Sequence, residues 1–255
     1  MAGLASKPNP FGGTLVDPAA LPRDPREFGT LLASSLDQWQ EAGLKVVWLE
    51  VPIDHAALIP VAVAAGFVFH HAAEGYAMLT RRLVEGAFIP PYATHYVGAG
   101  GVVVNDRSEL LVVCERHRRS REPAYKLPGG ALHPGEHLEA CVQREILEET
   151  GIRTSFEALI GLRHWHGYRY GKSDIYFICR LAPRNQEITR QAEEIDECRW
   201  MPVPEYLSSP YVHAFNRLVV RAALAGPALK PTWIEGYSDP TREIFLPPGI
   251  PPKGC

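Results

Sequence analysis

Residues 130–152 read GALHPGEHLEACVQREILEETGI, and this stretch decides the fold. Most residues from Leu138 to Thr150 are good helix formers, and glycine, here Gly151, is common at the C-terminal end of a helix. The sequence therefore predicts a helix over 138–150, entered from a loop that contains Pro134 and Gly135.

One face of this predicted helix changes from apolar to acidic along its length. At 3.6 residues per turn, that face carries Leu138, Cys141, Val142, Glu145, Glu148 and Glu149. Three carboxylates at this spacing repel one another unless a cation lies between them. Hard divalent ions such as Mg²⁺ and Mn²⁺ prefer oxygen ligands of this kind. The pattern favours a metal site, and the alternative is an acidic helix end that faces water.

The full spacing of glycines and charged residues resembles the Nudix box, the motif of hydrolases that cleave a nucleoside diphosphate linked to another group. The matching positions are Gly130, Glu136, Arg144, Glu145, Ile146, Glu148, Glu149, Gly151 and Ile152. The resemblance implies Mg²⁺ or Mn²⁺ as the cofactor, with Glu148 and Glu149 as metal ligands. It makes Glu145 either a ligand or the base that activates water. It also implies that Arg144 and Glu136 orient these carboxylates through charge-assisted hydrogen bonds.

Six further candidates lie downstream of the box. Glu194 falls where many Nudix enzymes carry a mobile-loop glutamate that binds metal or activates water, and an acidic surface loop is the alternative. The candidates for the nucleotide pocket are His164, His166, Tyr168, Lys172 and Asp174. The first three share one side of a strand, where they form either the pocket wall or a polar strand face. Lys172 and Asp174 contact either the substrate or each other.

Hydrophobic periodicity predicts helices and strands on both sides of the box. Before it, we expect a helix over 26–43, a strand over 45–52, a helix capped by Asp54 and ended by Gly66, and one or two strands over 67–82. Around and after it, we expect strands over 97–104, 110–115, 158–165, 173–181 and 197–201, and a helix over 214–225. Strands bracketed by helices indicate an α/β fold with a mixed sheet between helical layers.

The same pattern divides the chain into four parts. We expect a flexible, Pro- and Gly-rich N-terminus over 1–25 and a small α/β domain over 26–90. The Nudix hydrolase domain is predicted over 95–230, followed by a C-terminal extension over 231–255 whose proline-rich end is irregular.

A wider resemblance narrows the family. WLEVPIDH at 48–55 and AGFVFHHA at 65–72 resemble the N-terminal domain of one Nudix subgroup. That subgroup contains the antisense fibroblast growth factor gene product of animals and the ADP-ribose and NADH pyrophosphatases of plants. The resemblance implies a small acetyltransferase-like α/β domain before an α/β/α Nudix sandwich, and a homodimer. It favours ADP-ribose or NADH as substrate, with AMP and a phosphorylated partner as products.

Composition limits the other possibilities. A net charge of −3 argues against nucleic acid as a partner, and no apolar run reaches the roughly 18 residues of a membrane span. The first ten residues lack the apolar core that a signal peptide needs, and the five cysteines form no Cys-x-x-Cys pair, so we expect a cytoplasmic protein with free thiols. Two alternatives stay open: a hydrolase of RNA 5′ ends, and a partner-binding protein with vestigial catalysis.

Overall fold

The computed structural model describes residues 3–118 and 121–249, and the chain forms two compact units, Met1–Thr94 and His95–Cys255. The helices and strands of the N-terminal unit are β1 (Ser6–Pro8), β2 (Thr14–Val16), α1 (Pro25–Glu41), β3 (Val46–Pro52), α2 (Ile59–Ala64), β4 (Val68–Ala73) and β5 (Tyr76–Arg82). The strands form one sheet in the order β1-β2-β3-β5-β4, in which only the β2–β3 pair is parallel. Phe28 and Leu32 of α1 pack with Leu49 and Leu79 of the sheet to form a buried core.

The predicted flexible N-terminus is wrong for residues 3–25. Leu4, Val16 and Leu21 are buried in the core, and β2 pairs with β3. Gly13 permits this pairing, because a Cβ at that position would lie 2.1 Å from the carbonyl oxygen of Val46. A three-residue strand is too short to show a hydrophobic period against a Pro- and Gly-rich background.

The predicted cap at Asp54 is also wrong. The helix there begins as a 3₁₀ helix over Ile53–Leu58, and the residue that precedes it is Pro52, which has no side chain that could cap. The Asp54 carboxylate instead lies 2.9 Å from Nδ1 of His55. The cap of α1, in contrast, follows the usual rule: Oδ1 of Asp24 accepts from the N–H groups of Arg26 and Glu27 at 2.8 and 2.9 Å.

The C-terminal unit carries the box helix between two strands of its larger sheet. Its elements are β6 (His95–Val103), β7 (Glu109–Glu115), β8 (Tyr125–Lys126), β9 (Gly129–Ala131), α3 (Leu138–Thr150), β10 (Thr154–Trp165), β11 (Ser173–Pro183), β12 (Ile195–Pro202), α4 (Val203–Ser208), α5 (Ala214–Ala225), β13 (Lys230–Pro231) and β14 (Phe245–Leu246). The larger sheet has the order β10-β11-β6-β9, with β11 and β6 parallel, and the second has the order β12-β7-β8.

Adjacent residues of β6 pack into two different hydrophobic clusters, one with α3 and one with α5. The sheets therefore lie between helical layers, in an α/β/α arrangement. Val103 of β6 packs in the cluster that contains Cys141 and Ile146 of α3, whereas Val102 packs with Val220 of α5. The predicted fold class, an α/β sandwich with a mixed sheet preceded by a small α/β unit, is confirmed. No helix in residues 3–118 and 121–249 is long and apolar enough to cross a membrane.

Candidate active site

The box helix α3 has the predicted length, and its C-terminal end is formed by Gly151. This glycine adopts a left-handed conformation with φ of 74°, and its N–H donates to the carbonyl oxygen of Leu147. Another side chain at Gly151 would be strained by this φ and would also approach Thr189, whose atoms lie 2.9 Å from an added Cβ. The helix therefore stops at a fixed place, with the three box glutamates in its second half.

Arg144 joins the loop before α3 to the acidic face of the helix. Its Nε and Nη2 donate to the two carboxylate oxygens of Glu136 at 2.7 and 2.9 Å. Its Nη1 donates to Glu145 at 2.9 Å and to Glu148 at 3.0 Å. The hydrogen bonds from Arg144 lower the pKa of Glu136 to about 2. The orienting role expected for Arg144 and Glu136 is consistent with this geometry.

Glu149 is the buried member of the acidic face, with only 6% of its surface exposed. One of its oxygens accepts the N–H of Gly129 at 3.0 Å. Burial raises the pKa of this carboxyl to about 7, although Lys126 and the Gly129 hydrogen bond act in the opposite direction. A carboxylate in such surroundings is stabilised as an anion when a cation lies beside it.

The two glycines at the start of the box allow β9 to lie close to these side chains. Gly129 has a φ of +149°, and a Cβ there would lie 2.2 Å from the carbonyl oxygen of Ala99. A Cβ on Gly130 would lie 2.5 Å from the carboxylate of Glu145. Only glycine leaves room for both contacts.

Glu145, Glu148 and Glu149 are the residues that could hold a divalent metal ion. The donor set consists of hard oxygen atoms, the kind of ligand that hard divalent ions prefer. Burial raises the pKa of Glu149, so a cation beside it would stabilise the charged form of this carboxyl. In this arrangement Arg144 bridges Glu145 and Glu148. Over residues 3–118 and 121–249, no three Asp, Glu, His or Cys side chains are placed so that they could hold a metal ion without moving.

A cavity of about 580 Å³ begins at the box glycines and extends between β6, β11 and α5. Residues along its length include Gly100, Gly130, Tyr96, Tyr168, Asp174 and Phe215. Such a volume is typical of pockets for small ligands. Of the five predicted pocket residues, the structure places Tyr168 and Asp174 on this cavity.

Arg163 is a cavity residue that the sequence did not indicate. Its Nη2 donates to Oδ2 of Asp174 at 2.5 Å, and Asp174 is only 6% exposed. The guanidinium lies 5.3 Å from the ring centre of Tyr176 and 5.9 Å from that of Phe215. Arg163 and Tyr176 are direct cross-strand partners, so both face the cavity. Its sequence neighbours gave no signal of this position, because Tyr176 and Phe215 belong to other elements.

His164, His166 and Lys172 do not line the cavity. Nε2 of His164 lies 2.9 Å from Nε2 of His95, and Nδ1 of His166 lies 2.9 Å from the hydroxyl of Ser173. Lys172 places its Nζ 5.4 Å from the ring centre of Tyr96. The predicted strand face was one residue out of register, because Arg163 points to the cavity and its neighbour His164 therefore points away.

Glu194 lies in an exposed turn before β12. Its carbonyl oxygen accepts the N–H of Arg116 at 2.8 Å. The same turn is joined to the end of α3, because the N–H of Gln191 donates to the carbonyl oxygen of Glu149 at 3.2 Å. The structure thus places the turn at the C-terminal end of the box helix, and the role of the Glu194 side chain stays a prediction.

One thiol touches this arrangement, because Nη2 of Arg144 donates to Sγ of Cys141 at 3.9 Å. Cys114, Cys141 and Cys179 are buried and Cys198 is partly buried, all as free cysteines, whereas Cys255 lies outside the described residues. Burial raises the pKa of Cys141 and of Cys198 to about 12, so both thiols stay protonated and unreactive at neutral pH.

Comparison with known proteins agrees with the site. The sequence profile described as the Nudix hydrolase domain matches residues 4–83, and the NUDIX domain profile matches residues 94–223. Nudix hydrolase 8 of Arabidopsis thaliana is 39% identical over 215 residues, which cover 82% of this chain and 58% of the relative. Human nucleoside diphosphate-linked moiety X motif 6 is 36% identical over 224 residues, which cover 85% of this chain and 70% of the relative. The solved structure of a NUDIX hydrolase from Nitrosomonas europaea is 23% identical in sequence and superposes with a TM-score of 0.41. The match covers 50% of this chain and 86% of the Nitrosomonas chain.

Fold, box and matched relatives together define a hydrolase that acts on diphosphate bonds. The chain belongs to the Nudix hydrolase family.

Proposed function

We propose that this protein hydrolyses the diphosphate bond of ADP-ribose or NADH in the presence of Mg²⁺ or Mn²⁺, releasing AMP and a phosphorylated partner. The observation that carries the proposal is the position of the complete acidic face of α3 beside a cavity of about 580 Å³. Gly129 and Gly130 of β9 line the cavity and also contact the acidic face. The N–H of Gly129 donates to Glu149, and a Cβ on Gly130 would lie 2.5 Å from the carboxylate of Glu145, so a ligand beside these glycines lies next to the box.

The residues of the chain divide the chemistry between them. A divalent ion, when bound, would neutralise the diphosphate and lower the pKa of water. Glu145, Glu148 and Glu149 would hold that ion, and Arg144 keeps Glu145 and Glu148 in place. Water attacks one phosphorus and gives its proton to a carboxylate base, while the bond from that phosphorus to the bridging oxygen breaks and this oxygen leaves on the second phosphate. Glu194 is proposed as a further ligand or base, supported by the link between its turn and the carbonyl of Glu149.

Three residues that line the cavity suit a nucleoside. Tyr168 and Phe215 offer aromatic faces for a planar base. Asp174 offers a carboxylate with one oxygen bonded to Arg163, and within the described residues no hydrogen bond joins its other oxygen to the protein. An ionised carboxylate only accepts hydrogen bonds, so it favours a base that carries an amino group, as adenine does.

The test is hydrolysis of a panel of diphosphates by the purified full chain with Mg²⁺ or Mn²⁺. The panel contains ADP-ribose, NADH, other nucleoside diphosphate derivatives, and capped and triphosphorylated RNA, with the products resolved by chromatography. We expect AMP from ADP-ribose or NADH. No turnover of any diphosphate would refute the proposal, and a clear preference for RNA would replace it with the RNA 5′-end activity.

We also propose a cytoplasmic homodimer. Its support lies in the resemblance to a subgroup of which several members are dimers, and in β4, an edge strand of the N-terminal sheet that exposes Val68 and Phe69. The free thiols support a reducing compartment.

A further inference from the structure

The N-terminus of the box helix is capped by a residue that lies about a hundred positions later in the chain. One carboxylate oxygen of Glu243 accepts the N–H of Leu138 at 2.7 Å, and the other accepts the N–H of Glu139 at 3.0 Å. His137, which precedes the helix, makes no side-chain cap hydrogen bond. Every helix leaves its first N–H groups unpaired, and a carboxylate there also lies at the positive end of the helix dipole.

Glu243 belongs to a segment, residues 229–246, that we call the C-terminal strap. Leu229 exchanges two backbone hydrogen bonds of 2.9 Å with Leu159 of β10, and the ring of Phe245 lies 5.5 Å from that of Phe156. Strands β13 and β14 close the segment into a hairpin. The strap lies beyond residue 223, where the match to the NUDIX domain ends. It is therefore a packed addition to the domain.

A second contact holds the loop that leads into the helix. Nε2 of His137 lies 2.9 Å from the carbonyl oxygen of Pro240, which also belongs to the strap. The strap thus contacts three successive residues, His137, Leu138 and Glu139, at the point where the chain enters α3.

A short series of hydrogen bonds connects this entry point with the acidic face. Glu136 lies next to His137 and holds Arg144 through two hydrogen bonds of 2.7 and 2.9 Å. Arg144 in turn donates to Glu145 and Glu148. If the residues at the start of α3 shifted, Glu136 would move with them. Because Glu136 holds Arg144, the shift would also change the positions of the Glu145 and Glu148 carboxylates.

We propose that the C-terminal strap positions the box carboxylates, and that Glu243 is its positioning residue. Glu243 fixes the first turn of α3 and, with it, the Glu136–Arg144 pair that orients Glu145 and Glu148. The inference rests on the proposed function in one respect, that these carboxylates bind the metal ion used in hydrolysis.

The experiment compares the full-length wild type with Glu243→Ala and Glu243→Gln. The Gln variant keeps the shape and one acceptor oxygen, so it preserves folding if the Ala variant does not. The matched control is Asp24→Ala, which also removes a helix-capping carboxylate: Oδ1 of Asp24 accepts two N–H groups at the start of α1. Three quantities are measured: hydrogen exchange over 136–150, Mn²⁺ binding by electron paramagnetic resonance without substrate, and kcat and KM for NADH.

We expect Glu243→Ala to speed exchange in the first turn of α3, to weaken Mn²⁺ binding and to lower kcat. Loss of groups that orient metal ligands costs about 10- to 100-fold, so we expect a change of about tenfold with KM little altered, and a smaller change for Glu243→Gln. Asp24→Ala should leave Mn²⁺ binding and kcat unchanged.

Unchanged Mn²⁺ binding in both Glu243 variants would overturn the inference, as would equal losses in Asp24→Ala, since these would reflect stability alone. Failure of the proposed function has a different result. The wild type would then hydrolyse no diphosphate, while exchange and Mn²⁺ binding would still report on the strap.

Discussion

Glu148 is the box carboxylate that can be changed with the least effect on folding. Its side chain is 53% exposed and accepts one hydrogen bond, from Arg144. We expect Glu148→Gln to lower kcat by about 100-fold or more, because a metal ligand is lost. The free energy of unfolding should change by no more than about 0.5 kcal/mol.

Both quantities are measured in the same preparation, by hydrolysis of NADH and by urea unfolding. Glu157→Gln is the control, since Glu157 pairs with Arg180 and does not line the cavity. Undiminished hydrolysis by Glu148→Gln would show that the box is not the active site.

Asp174 should select the base of the substrate. Asp174→Asn replaces an acceptor by a group that also donates, so we expect the preference for NADH over deamino-NADH, which carries hypoxanthine, to shrink by about tenfold or more. The measurement is kcat/KM for both dinucleotides. Glu157→Gln again serves as the control, because its Arg180 pair also joins β10 and β11. Equal selectivity in wild type and Asp174→Asn would contradict this role.

The Glu136–Arg144 pair makes stability depend on pH. The pKa of Glu136 is about 2 in the folded protein, below the 4.5 of a free glutamate, so the pair contributes fully above pH 4.5. As the pH falls from 4.5 towards 2, that contribution is lost. We therefore expect the difference in unfolding free energy between wild type and Glu136→Gln to narrow between pH 6 and pH 3. Urea titrations at several pH values test this. If the difference in unfolding free energy between wild type and Glu136→Gln stayed constant with pH, the Glu136–Arg144 pair would not be the source of the pH dependence.

Strand β9 depends on glycine for its approach to β6. Gly129→Ala would put a Cβ 2.2 Å from the carbonyl oxygen of Ala99, at a φ that other residues rarely adopt. We expect a loss of about 2 to 4 kcal/mol in unfolding free energy, together with lost activity.

Gly161 in β10 provides the matched comparison, because an added Cβ there meets no atom within 4 Å. Gly161→Ala should change the unfolding free energy by no more than about 0.5 kcal/mol. The measurement is thermal and urea unfolding of both variants. Equal losses of unfolding free energy would show that the close approach of β9 to β6 is not what destabilises Gly129→Ala.

The association of whole chains should depend on β4. Val68 and Phe69 on this edge strand are 56% and 63% exposed, which is unusual for an edge that stays unpaired in solution. We expect the wild type to be a dimer and Phe69→Lys to be a monomer in light-scattering measurements. Val63→Lys, on an exposed position of α2, should leave the dimer intact. A monomeric wild type would refute the proposal.

The sequence by itself determined the parts of this protein whose information is local. The box helix, its glycine end and the acidic stripe follow from helix propensity and a 3.6-residue period. The strands over 97–104 and 173–181 and the helix over 214–225 were predicted within a few residues of β6, β11 and α5, because their apolar runs are long. The α/β class follows from the order of these elements.

The tertiary structure decided everything that depends on pairing between distant residues. The register of β10 against β11 turned Arg163 towards the cavity and His164 away from it. Strand β2 is held by its pairing with β3, and the cap of α3 comes from Glu243. A side chain that contacts a backbone about a hundred residues away leaves no periodic pattern in the sequence. Only the folded chain, which buries apolar surface and satisfies its N–H groups at the same time, brings such partners together.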